Sequence, residues 1–278
     1  MTLKDMHMVD GDEIVSVAKE AALKAGEFAA SVRNRGAFEI QFKEGNQRNL
    51  LTEADLGAEK IILEIVRSRF PDHTILAEES SPVFEQAEDY LGPLWIIDPI
   101  DGTTNFAHAH HHVGVSIAFA DRGVAQAAVV HAPFLGETFT AVRGKGAFRN
   151  GDPISVSGRT SLESALIGTG FPYGRESADE IARRLANVLR NCRDVRRAGA
   201  ASLDLCWVAC GRLDGFYEPL APWDIAAGLL IAREAGARIG RYSDANRDSA
   251  LPDELDGNDL CLATPAIYED LEKILRSA

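Results

Sequence analysis

Apolar and polar positions follow two different periods along this chain, and each change of period marks an element. Between residues 12 and about 33, Ile14, Val15, Ala18, Ala22, Ala25, Phe28, Ala29 and Val32 recur near a 3.6 spacing, which predicts an amphipathic helix stopped by Gly36. Residues 38–42 predict a short strand, and the polar run 43–48 a mobile loop. A second helix starts at Thr52-Glu53-Ala54-Asp55, with Thr52 as N-cap and acids in its first turn. Leu56, Ile61, Ile62, Ile65, Val66 and Phe70 supply its expected buried side. Short apolar runs bounded by turn residues then read as strands at 74–77, 94–97, 113–120, 124–131 and 137–142, with 81–92 as an acidic surface connection.

Further strands are predicted at 164–169, 195–197, 214–218 and 259–263. Helices are predicted at 179–189, from Ser202 to Cys210, at 225–235 behind Pro222-Trp223-Asp224, and at 265–275. Strands cluster in the middle while helices flank and recur, which predicts an α+β body of two sheets with helices between and outside. There is no internal repeat or Gly/Ser linker, so residues 1–278 read as a single unit, with a weakly marked subdomain boundary near 156–162.

Composition narrows the function classes. A chain of 278 residues with 46% hydrophobic and 26% charged residues has the make-up of a soluble globular protein. Its net charge of −13 argues against a nucleic-acid-binding surface, which needs clustered Lys and Arg. The longest apolar runs are about eight residues, far below the roughly 20 of a membrane span. The first ten residues lack the apolar core of a signal peptide. Cys192, Cys206, Cys210 and Cys261 form no Cys-x-x-Cys pair; Cys206 and Cys210 read as core thiols on one helix face, and reduced cysteines suit the cytoplasm.

The stretch Trp95-Ile96-Ile97-Asp98-Pro99-Ile100-Asp101-Gly102-Thr103-Thr104-Asn105 carries the chemistry. Two carboxylates three residues apart at the end of a buried strand repel each other unless a cation sits between them. Pro99 makes a rigid corner, Gly102 admits close backbone approach, and Thr103 and Thr104 open a short helix whose N–H groups would face an anion. A hard dication on Asp98 and Asp101 opposite such an anion is what phosphate ester hydrolysis requires. Gly144-Lys145-Gly146 lacks the P-loop frame and reads as a turn. The run His108-Ala109-His110-His111-His112 matches no zinc spacing, so adventitious Ni²⁺ or Zn²⁺ binding is all it predicts.

The stretch from Trp95 to Asn105 resembles the signature of the inositol monophosphatase family of magnesium-dependent, lithium-sensitive phosphatases. The resemblance extends to Glu78-Glu79-Ser80 and Pro222-Trp223-Asp224-Ile225-Ala226, covering most of the chain. It implies the αβαβα sandwich shared with fructose-1,6-bisphosphatase. It further implies that Glu78, Asp98, Asp101, Asp224 and the Ile100 carbonyl hold two Mg²⁺, with room for a third, looser ion. Asp55 and Thr103 would be the catalytic pair that orients the attacking water, with N–H groups around Gly102, Thr103 and Thr104 on the phosphate. Glu79 is expected to face outward.

Substrate contacts implied by the resemblance map to Glu218 and Ala201, and the implied substrate is inositol 1-phosphate. The chain departs from the family pattern at three places. Glu218 precedes Asp224 by one residue fewer than usual, the loop carrying Lys43 is one residue longer, and Asn49 replaces a common aspartate. These spare the metal core and leave histidinol phosphate, fructose 1,6-bisphosphate and adenosine bisphosphate open as alternative substrates. A non-catalytic protein-binding role is the alternative of a different class, and the resemblance also implies a homodimer.

Overall fold

A computed structural model describes residues 10–81, 84–172, 174, 178–243 and 251–277. Residues 1–9 of the N-terminal stretch, and residues 82 and 83 of the acidic connection predicted at 81–92, lie outside them. Helix α1 (Gly11–Asn34) is capped by Asp10, whose side chain accepts from the Asp12 N–H at 3.0 Å. A two-stranded ribbon, β1 (Ile40–Phe42) with β2 (Leu50–Thr52), leads into α2 (Glu53–Arg69). The capping box expected at Thr52 is present, with Asp55 as the reciprocal acid. Helix α2 buries Ala54, Ala58, Ile62 and Val66, an i+4 stripe, whereas Leu56 is 47% exposed, contrary to expectation. Leu56 lies two residues from that stripe, about half a turn around the helix.

The main sheet takes its seven strands in chain order: β3 (Thr74–Ala77), β4 (Leu94–Asp101), β5 (Gly114–Asp121), β6 (Val124–Ala132), β7 (Glu137–Val142), β8 (Ala147–Arg149) and β9 (Asp152–Pro153). Only β3 and β4 are parallel. The unbroken apolar runs of β4 and β5 reflect burial on both faces. Trp95, Ile97, Val115 and Ile117 pack against α1 and α2, while Leu94, Ile96, Ala118 and Ala120 point to the other side. The connection before β4 is not wholly superficial: Tyr90 is fully buried, where its ring adds to the core and its hydroxyl donates to the Phe84 carbonyl at 3.1 Å.

Short helix α3 (Thr103–Ala107) follows β4. The second sheet is ordered β11 (Asp194–Arg196), β10 (Leu166–Thr169), β12 (Gly215–Leu220), β14 (Gly257–Ala263), β13 (Arg238–Arg241). Strand β13 was not foreseen, because two of its four residues are arginines and it offers no apolar run. Helices α5 (Ala201–Ala209) and α6 (Pro222–Glu234) fill the space between the sheets, with Leu205, Ile225 and Leu229 meeting Leu94 and Ile96 on one side and Phe216 and Leu262 on the other. Helices α4 (Ala178–Asn191) and α7 (Pro265–Arg276) cover the outer face through Val188, Ile267 and Leu271 on Ile167 and Tyr217. The layers therefore run α, β, α, β, α, as expected. The connection near 156–162 is where the chain passes from the first sheet to the second. No helix among the described residues is long and apolar enough to cross a membrane.

Candidate active site

Asp98 pairs with Ser116 across β4 and β5, but Asp101 pairs with Gly114, so the register slips by one residue between the two acids. In a regular strand, residues three apart face opposite sides. The slip returns Asp101 to the side of Asp98, facing α5. There the Asp101 carboxylate accepts from the N–H of Ala201 at 3.1 Å, from the N–H of Ser202 at 2.6 Å and from the Ser202 hydroxyl. Gly114 makes room for this contact, since a Cβ there would lie 2.9 Å from Ser202 Oγ.

Asp224 arrives on the first turn of α6, behind Pro222, and accepts from the Ala221 N–H at 3.0 Å. One carboxylate oxygen from each of Asp98, Asp101 and Asp224 lies within 4.8 Å of the others. At that spacing each ionised pair repels by about 3 kcal/mol for an effective dielectric near 20. Burial first, then repulsion from the neighbouring acids, holds Asp98 and Asp224 well above the usual carboxylate range. Burial also lifts Asp101, to about 6, against the opposing bonds from Ser202. Three oxygen donors with no cation among them fit a hard dication. Among the described residues no histidine joins a three-donor group: His108, His110 and His111 are exposed.

A cavity of about 330 Å³ opens over this cluster. Glu78, Ile100, Gly102, Thr103, Ala201 and Glu218 all line it, as does Asn49. The Ile100 side chain is buried in the outer core, so its backbone is what reaches the cavity. Glu78 is outside the three-acid group but hydrogen-bonds Asp98, while Lys43 Nζ holds its Oε1 at 2.7 Å and Glu79 Oε1 at 2.8 Å. Glu79 does not face outward: its side chain is 3% exposed, Lys43 draws it inward, and burial with the nearby Glu78 charge pushes its pKa to about 8. Burial works against the charge on Lys43, but the two glutamates outweigh it and raise its pKa.

Asp55 does not touch the cavity. It lies behind Thr103, whose Oγ1 donates to the Asp55 carboxylate at 2.9 Å and lies 3.2 Å from the Ile100 carbonyl. The same carboxylate accepts the Thr52 N–H at 2.7 Å, so cap and threonine holder are one group. Burial raises Asp55 to about 6, against its hydrogen bonds from Thr52 and Thr103. Thr103 begins α3 after Gly102, which adopts φ +92°. Thr104 is exposed and outside the cavity lining, since neighbours on a helix are about 100° apart and cannot both face the cleft.

Glu218 is 8% exposed, accepts no hydrogen bond from a described residue, and is pushed to about 8 by burial. Sequence reasoning missed Ser202, Asp204 and Arg197, and weighed His112 only as part of the histidine run. Asp204 is buried, lines the cavity and bonds His112 Nε2 at 2.9 Å. Its signal was an ionisable residue inside the otherwise apolar helix 203–209.

The model of the family described as the inositol monophosphatase family matches residues 10–276. The Nus factor SuhB of Pseudomonas aeruginosa is 42% identical over 241 residues, 84% of this chain and 87% of that protein. The inositol-1-monophosphatase of Synechocystis is 43% identical over 230 residues, 82% and 78% of the two chains. The crystal structure of the extragenic suppressor protein suhB from Bartonella henselae superposes with a TM-score of 0.84 at 34% identity, covering 96% of this chain and 99% of that one.

Proposed function

This chain belongs to the inositol monophosphatase family, and from that premise we propose that it hydrolyses small phosphate monoesters with Mg²⁺. Glu78, Asp98, Asp101, Asp224 and the Ile100 carbonyl are the proposed ligands. The observation that carries this reading is the convergence of the Asp98, Asp101 and Asp224 oxygens at a cavity of small-molecule size. When bound, the dications supply Lewis acidity at the phosphate and acidify water in the cleft.

The chain's own groups do the rest. Asp55 takes the Thr103 hydroxyl hydrogen bond, which leaves a lone pair of Oγ1 to accept a hydrogen bond from the attacking water and aim its oxygen. The first N–H groups of α3 have no i−4 carbonyl within the helix and are free to hold phosphate oxygens. Glu218, neutral near pH 7, can both donate to and accept from hydroxyls of the departing alcohol. Phosphate esters of polyols, inositol 1-phosphate among them, suit this wall through their hydroxyls. The test is phosphate release from inositol 1-phosphate, histidinol phosphate, fructose 1,6-bisphosphate and an adenosine 3′,5′-bisphosphate, with and without Mg²⁺. Release that depends on Mg²⁺ and is suppressed by lithium is expected; no release from any of the four overturns the reading.

A second reading, a protein-partner role, is favoured by the Nus factor name of the 42% identical relative. It predicts a cellular function that survives Asp98→Asn, whereas the hydrolase reading predicts its loss.

A further inference from the structure

We infer that Arg197 selects substrates that carry a second phosphate on the alcohol, at a position remote from the phosphate that is cleaved. The inference rests on the hydrolase reading and specifies its substrate class. Arg197 is the one Lys or Arg among the described residues lining a cavity that also holds Glu78, Asp98, Asp101, Asp204, Glu218 and Asp224. Despite these acids, its guanidinium forms no ion pair with any described residue. Arg197 is exposed and acts on Glu218 and Asp204 through space without pairing with either, so it is available to a ligand.

Its placement is built by the chain. Arg197 Nη1 occupies the space over Gly199, where a Cβ would approach it to 2.4 Å, and Gly199 is left-handed at φ +93°. Any side chain at 199 would displace the guanidinium. On the other side its Cζ lies 5.7 Å from the Phe171 ring centroid, a weak cation–π contact that supports the group without neutralising it. Phe171 follows Gly170, whose missing Cβ leaves the space filled by the Glu218 carboxylate. Arg197 thus stands beside the alcohol wall.

The electrostatics agree with this position. The Arg197 charge favours ionisation of Glu218 and Asp204, while it does not figure among the leading influences on Asp98 or Asp224. The contact with Phe171, next to the Gly170 that packs on Glu218, sets the guanidinium on the alcohol side of the cleft. With dications neutralising the metal-binding acids, Arg197 remains as the cation facing the alcohol. Its planar fork matches two phosphate oxygens, which a neutral polyol does not offer.

The test measures kcat and KM at saturating Mg²⁺ for fructose 1,6-bisphosphate and inositol 1-phosphate, using the unaltered chain, Arg197→Ala and Arg197→Lys. Arg197→Ala is expected to raise KM for the bisphosphate about tenfold more than for the monophosphate, the size of a lost charge-assisted contact. Its effect on kcat should be similar for both substrates, and Arg197→Lys should restore part of the KM difference. An equal KM change for both substrates, or none for either, overturns the inference, as does an unaltered chain that hydrolyses the monophosphate but not the bisphosphate. Failure of the unaltered chain to release phosphate from either would instead bring down the hydrolase reading, and this inference with it.

Discussion

Asp98 is the residue on which the cleft depends most. It is 1% exposed and repelled by Glu78, Asp101 and Asp224. Replacing it by Asn removes a carboxylate charge with little change of shape. Mg²⁺-dependent phosphate release is expected to fall at least a hundredfold in Asp98→Asn. Activity within about threefold of the original, roughly 0.7 kcal/mol, would contradict the role given to it. Glu218 makes a separate, pH-dependent prediction. Its folded-state pKa stands near 8, against 4.5 for an unperturbed glutamate, because it is buried. The folded chain therefore keeps a proton that the unfolded chain has lost, and the group's contribution to stability declines as pH rises from about 4.5 to about 8. Without divalent cations, the stability of the original chain should fall relative to Glu218→Gln across that window. Parallel denaturation curves for the two would disprove the assignment.

At the level of elements, the join between β2 and α2 performs two tasks through one carboxylate. Asp55 completes the capping box with Thr52 and also holds Thr103. Thr52→Ala should cost about 1 kcal/mol of stability, the usual cost of a lost N-cap. If the cap also orients Thr103 for the proposed hydrolysis, kcat should drop while KM stays close to its original value; denaturant titration and steady-state kinetics together check both parts. The turn from β4 into α3 is less tolerant. Gly102 lies at φ +92°, and a Cβ there would sit 3.0 Å from the Gly199 carbonyl. Gly102→Ala is expected to lose about 1–2 kcal/mol from the left-handed backbone alone, together with most of the activity. A variant with unchanged stability and turnover would show that the turn can relax.

For the molecule as a whole, the net charge of −13 and the buried acids of the cleft predict that dications are stabilising ligands. A ligand that binds only the folded state at a hundred times its Kd adds about 2.7 kcal/mol. Saturating Mg²⁺ should therefore raise Tm by several degrees, and EDTA should reverse the gain. The gain should be larger near pH 8 than near pH 5, because the Asp98, Asp101 and Asp224 carboxyls take up protons readily and those protons must leave before metal binds. A Tm indifferent to Mg²⁺, measured by calorimetry, would count against the metal site independently of any activity.

Local order was legible because it depends on neighbours in the chain. The 3.6 spacing gave α1, the cap at Thr52 gave the start of α2, and apolar runs buried on both faces gave β4 and β5. The paired acids after β4 and the resemblance they carry pointed to the metal chemistry before any fold was in view. Packing decided what spacing does not encode. Leu56 is outside because the alanine stripe of α2 lets that face lie closest to α1, and Glu79 is inside because Lys43 reaches it from 36 residues away. The one-residue slip between β4 and β5 turns Asp98 and Asp101 to the same side, and the layering of α6 against that sheet brings Asp224 to them. A chain can specify which residues are acidic and which runs are strands. Only the assembled sheets set the distances between them, and in a buried cleft those distances determine charge, proton affinity and ligand.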